Sequence, residues 1–130
     1  MAAGTDSPEL GSLEAKIMRV AWDDAGQYLQ VRDVMSRLED DLAYTTVMTV
    51  MNRLHDKGLL RRRRAGRAWT YKPSSTREAH AAATMADALS VAGNRTAALL
   101  HFVADLDPDE ATALRRLLGG AAEQQGKGSA

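Results

Sequence analysis

The strongest constraint on the fold is the stretch at 43–57, which has the sequence AYTTVMTVMNRLHDK. On a helix with 3.6 residues per turn, one side is apolar and carries Val47, Val50, Met51 and Leu54. The opposite side carries Thr45, Thr49, Asn52, Arg53 and Asp56. Thr46 adds a third hydroxyl near the start, and hydroxyls are short, uncharged groups that both donate and accept hydrogen bonds. This polar side differs from an ordinary solvated helix face, which carries Glu and Lys instead.

The segment after this helix predicts a β-hairpin. Gly58 suits the left-handed backbone at which helices commonly end, and LLRRRRAGRAWTYKP then forms two β-like runs around Ala65 and Gly66. Trp69 and Tyr71 are two residues apart and share one face of the second strand, which we expect to cover the helical core. Trp69 could instead stack on a base, but we favour a position in the core, because aromatic residues of such a hairpin at this spacing are more often part of the core. The order of helix, stop and basic hairpin indicates a recognition helix followed by a wing.

Positive charge is concentrated in this hairpin and at the end of the preceding helix, although the whole chain has a formal net charge of zero. The net charge is −5 over residues 1–52, +8 over residues 53–77 and −3 over residues 78–130. Screening limits charge interactions to roughly 10 Å at moderate salt, so a local patch attracts polyphosphate whatever the total charge. We favour nucleic-acid binding over a solvated basic loop, because the aromatic side chains order the hairpin.

Two further helices are predicted before the recognition helix. Apolar residues recur at helical spacing from Leu10 to the turn at Gly26, and either Ser7 with Pro8, or Ser12, is the candidate cap. A short extended piece around 28–29 then leads to a second helix, whose apolar stripe is Val31, Val34, Met35, Leu38 and Leu42. The fold class predicted is mainly α with a small β-hairpin, a winged helix-turn-helix over residues 9–73 after a disordered N-terminus at 1–8.

Three short helices are predicted after a boundary at Pro73-Ser74-Ser75. The last of them begins with Asp107, Pro108 and an acid at the capping-box position. Their apolar stripes are narrow and bury too little surface to fold alone, so we expect residues 74–118 to form a helical dimerisation domain. The alternative is that these helices fold back on the N-terminal domain.

The expected dimer interface consists of the apolar residues on these stripes: Met85, Leu89, Leu99, Phe102, Val103, Leu106, Leu114, Leu117 and Leu118. Residues 119–130, GGAAEQQGKGSA, are expected to form a flexible tail because they are rich in small and polar residues.

The composition excludes several functional classes. The chain has no cysteine, so disulfides, thiolate metal sites and thiol nucleophiles are excluded. His55, His80 and His101 fall on separate predicted helices and lack a metal-binding spacing such as HxxxH. No apolar run approaches the roughly 20 residues that a membrane span needs, and the N-terminus lacks the features of a signal peptide. We therefore expect a cytoplasmic protein that is not an enzyme, has no cofactor and does not insert into the membrane.

Three segments carry a family resemblance: LEAKIMRVAW, VRDVMSRL and LAYTTVMTVMNRLHDKGLLRRRRAGRAWTYKP. They resemble the penicillinase repressor (BlaI/MecI) family of bacterial transcriptional repressors, and the block AYTTVMTVMNRL is the most specific part. The resemblance extends more loosely over the C-terminal half. It implies a homodimer that binds pseudo-palindromic operators in double-stranded DNA and represses by blocking promoter access, with a C-terminal helical dimerisation unit.

The expected base contacts come from Thr45, Thr46 and Thr49, through thymine methyl groups and acceptors in the groove. The expected phosphate contacts come from Arg53, Lys57, Arg62, Arg64 and Arg67. Two other functions are compatible with the same residues. One is an architectural, nucleoid-type protein that uses the basic wing without sequence preference, and the other is a protein-interaction module whose helix at 43–57 docks on another protein.

The resemblance also implies how repression is lifted. In the family, a membrane sensor-transducer metalloprotease leads to cleavage of the repressor at an Asn-Phe bond in the dimerisation unit. The matching position here is His101-Phe102 within AALLHFVADL, so His replaces the Asn of the family pattern. Cleavage at this bond would divide one apolar stripe of the dimer face. The alternative role for Phe102 is that of a simple core aromatic.

Overall fold

The computed structural model describes the backbone of residues 10–128 and the side chains of residues 10–120. Residues 1–9, which include the predicted disordered segment and the candidate cap at Ser7 and Pro8, lie outside the described residues. In chain order the elements are α1 (Ser12–Asp23), β1 (Leu29–Gln30), α2 (Val31–Arg37), α3 (Tyr44–Asp56), β2 (Leu60–Ala65), β3 (Ala68–Pro73), α4 (Arg77–Ser90), α5 (Arg95–Ala104) and α6 (Pro108–Gly128). The predicted fold class, mainly α with a small β-hairpin in a winged helix-turn-helix, is confirmed.

The core lies between the first three helices and the sheet. The apolar side of α3 is buried as predicted, and it packs with Ile17 and Met18 of α1, Val34 of α2, Leu60 of β2 and Tyr71 of β3. Burying one large apolar side chain stabilises a fold by roughly 1.5–3 kcal/mol, so this cluster accounts for the order of the N-terminal half. α3 is held on its apolar side, and its polar side is left toward solvent.

The hairpin forms part of a three-stranded antiparallel sheet in the order β1-β3-β2. Leu29 pairs with Tyr71, and Arg62 pairs with Tyr71 from the other side. Because side chains alternate across a strand, Leu29, Leu60 and Tyr71 share the face that covers the core. Gly66 has a φ of +66° at the hairpin turn, a conformation that glycine adopts without steric cost.

The structure corrects two predictions in the N-terminal half. The N-cap of α1 is Gly11 rather than Ser12, and the Glu14 carboxylate accepts the Gly11 N–H at 3.0 Å. α2 ends at Arg37, so Leu38 and Leu42 lie outside the helix, although both are still partly buried against the core. Residues 39–41 are all acidic, and negative charge at a helix C-terminus opposes the helix dipole, which favours this early end.

Caps define the C-terminal helices. The Thr76 hydroxyl accepts the Ala79 N–H at 3.0 Å before α4, and the Asn94 side chain accepts the Ala97 N–H at 3.0 Å before α5. The predicted capping box before α6 is complete, since Asp107 accepts the Glu110 N–H at 2.8 Å and Glu110 accepts the Asp107 N–H at 3.1 Å.

α6 is longer than the sequence predicts. Its backbone stays helical through Gly128, whereas the sequence predicts a flexible tail from Gly119. The intervening segment AAEQQ consists of strong helix formers, and their propensity outweighs the cost of roughly 1 kcal/mol per glycine. No helix within residues 10–128 has the length and apolar character needed to cross a membrane.

The chain divides into two compact units between Asp87 and Ala88, inside α4, whereas the sequence placed the domain boundary after residue 73. The first turns of α4 are tied to the N-terminal unit. The Trp22 indole N–H donates to the Ser75 carbonyl at 3.0 Å, Arg77 pairs with Asp23 at 3.2 Å, and the rings of Trp22 and His80 lie 5.3 Å apart. These side-chain contacts explain why the start of α4 belongs to the first compact unit.

Candidate nucleic-acid interface

The polar side of α3 presents the predicted base-contacting residues. Thr45, Thr46 and Thr49 are all exposed, on the side opposite the buried apolar stripe. Arg53 is also exposed, one turn beyond Thr49. The structure thus brings three hydroxyls and one guanidinium onto a single accessible helix surface, which offers hydrogen-bond donors and acceptors followed by a positive charge.

Two arginines of β2 stack on Trp69. The guanidinium carbons of Arg62 and Arg64 lie 4.3 Å and 4.7 Å from the centre of the Trp69 ring. Cation–π contacts of this kind contribute roughly 0.5–1 kcal/mol each at exposed sites. Trp69 is half-buried against the core, as favoured from the sequence, and its indole also positions two of the predicted phosphate-contacting side chains.

The other face of the wing is also basic. Arg63 lies over the Tyr28 ring at 3.9 Å from its centre, and Lys72 lies at 5.6 Å from the same ring. Arg61 is exposed on this face, and Arg67 is exposed at the turn. Cations therefore flank the hairpin on both faces, consistent with the expectation that its arginines cannot all point inward.

Lys57 does not share the accessible position of the other predicted phosphate contacts. Its ammonium forms an ion pair with Glu14 at 2.9 Å, and the two side chains are only 21% and 9% exposed. Burial raises the pKa of Glu14, but the Gly11 N–H, the Lys57 ammonium and the Arg53 charge outweigh it and lower the pKa below its ordinary value. This pair joins the start of α1 to the end of α3, and no local sequence signal connects two residues so far apart in the chain.

Asn52 links α3 to the wing. Its Oδ1 accepts hydrogen bonds from the Arg62 guanidinium at 3.1 Å and from the Tyr71 hydroxyl. Burial raises the pKa of Tyr71, although the neighbouring Arg62 charge acts in the opposite direction. The helical wheel placed Asn52 on the polar side of α3, but this contact depends on the sheet register, which the wheel does not contain.

The predicted dimer residues are exposed or only half-buried in the single chain. None of the described side chains from Arg77 to Gly120 is buried. Six of the predicted interface residues are exposed in the single chain: Met85, Leu99, Phe102, Val103, Leu117 and Leu118. The other three are half-buried: Leu89, Leu106 and Leu114. Exposed large apolar side chains in such numbers are typical of surfaces at which proteins associate.

The two side chains at the predicted cleavage position are exposed, and the bond between them lies within a helix. Because His101 and Phe102 both lie in α5, their peptide bond is held in helical backbone. Among the residues that the structure describes, no three His, Asp or Glu side chains form a cluster that could hold a metal ion.

A winged helix with a hydroxyl-bearing recognition helix and a basic hairpin defines the class of DNA-binding transcriptional regulators. The family model described as "Penicillinase repressor" matches residues 10–120, and the chain belongs to this family. The resemblance identified from the sequence is thereby confirmed. The chain is a BlaI-like transcriptional repressor and not an enzyme.

Curated relatives agree with this assignment. The protein named "Transcriptional regulator BlaI" in two strains of Mycobacterium tuberculosis is 45% identical over 114 residues, which cover 84% of this chain and 82% of the relative. Among solved structures, the DNA-binding domain of the repressor BlaI matches with 25% identity and a TM-score of 0.47, covering 54% of this chain and 85% of that one. The PcaV transcriptional regulator from Streptomyces coelicolor matches with 25% identity and a TM-score of 0.45, covering 93% and 80%.

Proposed function

We propose that the chain acts as a homodimer on pseudo-palindromic operators, with base contacts from Thr45, Thr46 and Thr49. The observation that carries this proposal is the exposed hydroxyl surface of α3 next to a basic wing. In a helix-turn-helix, residues near the start of the recognition helix contact base edges in the major groove. Threonine supplies both a methyl group for the thymine methyl and a hydroxyl for groove acceptors, so these side chains suit sequence readout.

The proposed phosphate contacts are Arg53, Arg62, Arg64 and Arg67. Arg53 follows the hydroxyls on α3, and the other three belong to the wing, where the Trp69 ring holds Arg62 and Arg64 in place. Phosphate contacts fix the position of the protein on the duplex without carrying sequence information. We leave Lys57 out of this set, because its ammonium is engaged by Glu14 and moving it would leave a nearly buried carboxylate without its partner.

We propose that residues 74–118 form the dimer interface. The uncovered apolar side chains of α4, α5 and α6 support this, because a second copy would cover them with an equivalent surface. Two recognition helices related by a two-fold axis would then contact half-sites about one helical turn apart, roughly 34–36 Å, or a multiple of it. A repressor of this kind acts on the bacterial chromosome and therefore in the cytoplasm.

Relief of repression is proposed to involve cleavage between His101 and Phe102 after a signal from a membrane sensor protease. The exposure of both residues in the single chain supports access, and the apolar surface around Phe102 supports a loss of dimerisation after cleavage. The bond lies within α5, so a protease would have to act on a locally unfolded helix. Cells treated with a cell-wall antibiotic should lose the intact 14.1 kDa chain as repressed genes are induced; induction with an intact chain would overturn this route.

Footprinting of the protein on DNA from its own upstream region tests operator binding. A protected pair of inverted half-sites, with affinity at least roughly 10³-fold above that for random duplex, is expected. Binding without such a preference would instead indicate an architectural protein that uses the basic wing alone. Absence of binding to any duplex at low salt would indicate that α3 contacts another protein.

A further inference from the structure

The hydrogen bonds of Asn52 fix the orientation of its amide. Arg62 carries only donors, so the amide atom that faces its guanidinium must be the oxygen. The Tyr71 hydroxyl bonds to the same oxygen. Oδ1 has two lone pairs, and both are used by these donors. The two N–H groups of Nδ2 are therefore turned away from the wing, and no described residue accepts a hydrogen bond from them.

The position of Asn52 on α3 places this donor on the DNA-facing side. It lies seven residues after Thr45 and three after Thr49, a spacing that puts all three on one side of a helix. Asn52 is half-buried rather than enclosed. Arg53 and Arg62 adjoin it, and their positive charges favour an anionic acceptor at this point.

We propose that Asn52 is an additional DNA-contacting residue whose Nδ2 donates to a backbone phosphate oxygen. The proposal rests on the operator-binding function described above. A bidentate contact to adenine needs both the oxygen and the nitrogen of an asparagine amide, and here the oxygen is occupied by Arg62 and Tyr71. Asn52 also lies beyond the first turns of the recognition helix, where base contacts are concentrated. Arg62 and Tyr71 are the positioning residues that hold the amide for this contact.

The test compares two variants that differ only at this amide. Tyr71→Phe removes one bond to Oδ1 but keeps the Nδ2 donor. The double variant Tyr71→Phe with Asn52→Leu also removes the donor, together with the oxygen that accepts from Arg62, without adding charge. In the double variant no tyrosine hydroxyl is left without its partner. Affinity for a random-sequence duplex of about 30 base pairs is measured by fluorescence anisotropy at low salt, and thermal unfolding reports on folding.

The double variant is expected to bind the random duplex on the order of tenfold more weakly than Tyr71→Phe, because a hydrogen bond to a charged acceptor is lost. Asn52→Asp is a second variant in which the side chain keeps both accepted bonds and loses the donor, and it should also bind more weakly while melting no lower than the wild type. Equal affinity of the double variant and Tyr71→Phe for random duplex overturns the proposal. If the wild type binds no duplex at all, operator binding itself fails.

Discussion

The two halves of the chain handle apolar residues in opposite ways. The N-terminal half encloses Ile17, Val34, Leu54 and Tyr71 in a continuous core, whereas none of the described side chains from Arg77 to Gly120 is buried. α3 has a broad apolar stripe with a sheet and two helices to cover it. The apolar stripes of α4, α5 and α6 are narrow, and their side chains are at most half-buried in the single chain. The first half thus carries its own stability, and the proposed dimer would supply the second half with a core.

Replacing a core residue of the N-terminal half should have the largest effect, which is on the free energy of unfolding. Leu54→Ala is expected to lower the free energy of unfolding of the N-terminal unit by roughly 2–5 kcal/mol, because it leaves a cavity between α3 and its neighbours. Both tryptophans, Trp22 and Trp69, lie in this unit, so urea denaturation followed by tryptophan fluorescence reports on it. Leu117→Ala is the matched control and should leave this transition within about 0.5 kcal/mol, since Leu117 is 70% exposed. Equal losses from the two variants would contradict the contrast between the halves.

Introducing a charge among the exposed apolar residues of the C-terminal helices should have the next largest effect. This effect should be on dimerisation rather than on folding. Leu117→Asp is expected to shift the protein toward monomer in analytical ultracentrifugation. Operator affinity should fall by on the order of 10² or more, because the second half-site is no longer bound at high effective concentration. Ala113→Asp adds the same charge at an exposed position of α6 that is outside the predicted interface. A dimer that survives Leu117→Asp would show that this surface has another role.

The ion pair between Glu14 and Lys57 should contribute to the stability of the N-terminal unit and not to DNA binding. Lys57→Met is expected to destabilise the N-terminal unit by roughly 1–3 kcal/mol, because the Glu14 carboxylate is left nearly buried without its partner. Arg53→Met should do the reverse, preserving stability and reducing the salt dependence of DNA binding by about one unit of slope. A loss of salt slope in Lys57→Met would restore Lys57 as a phosphate contact.

The same pair predicts a pH dependence. The folded pKa of Glu14 lies below its ordinary value of 4.5, so the folded state favours the ionised carboxylate. Its contribution to stability is therefore fully present above pH 4.5 and is lost as the pH falls through the folded pKa. The difference in unfolding free energy between the wild type and Glu14→Gln should shrink accordingly in acid titrations. A difference that is constant with pH would exclude this linkage.

The smallest expected effects are on DNA binding. They should distinguish residues that recognise the operator sequence from residues that bind any DNA through its phosphates. Thr49→Ala is expected to reduce the preference for operator over random duplex by roughly 1–3 kcal/mol, because a base contact is lost. Arg64→Ala should weaken binding to both duplexes evenly and flatten the salt dependence by about one unit of slope. Gel-shift titrations at several salt concentrations measure both quantities. Identical behaviour of the two variants would remove the proposed distinction between Thr49 and Arg64.

Local patterns were sufficient to predict α3, the stop at Gly58, the hairpin and the capping box before α6. Each of these depends on residues within a few positions of one another, where periodicity and backbone preference act. The early end of α2 and the helical backbone after Gly119 were missed because the apolar spacing of α2 and the glycines of α6 were given too much weight.

The contacts that local patterns do not predict are those between residues far apart in the chain. Lys57 bonds to Glu14, which lies 43 positions away in the chain, and Asn52 bonds to Tyr71, 19 positions away. Composition and helical-wheel projections carry no information about such pairs, since only the packing of α1, α3 and β3 brings the two partners together. The direction of a polar side chain was therefore predictable, and the group that it binds was not.

The sheet order has a consequence for the solubility of the folding chain. β2 is an edge strand, paired with β3 on one side only, and edge strands offer unpaired backbone groups to other molecules. Charged side chains are one way in which proteins discourage such edge-to-edge pairing. Residues 61–64 place four consecutive arginines on this edge, so two copies that approach each other there meet mutual repulsion. The positive charge that suits the wing to binding a polyanion thus also prevents edge-to-edge pairing of β2 strands from two copies of the protein.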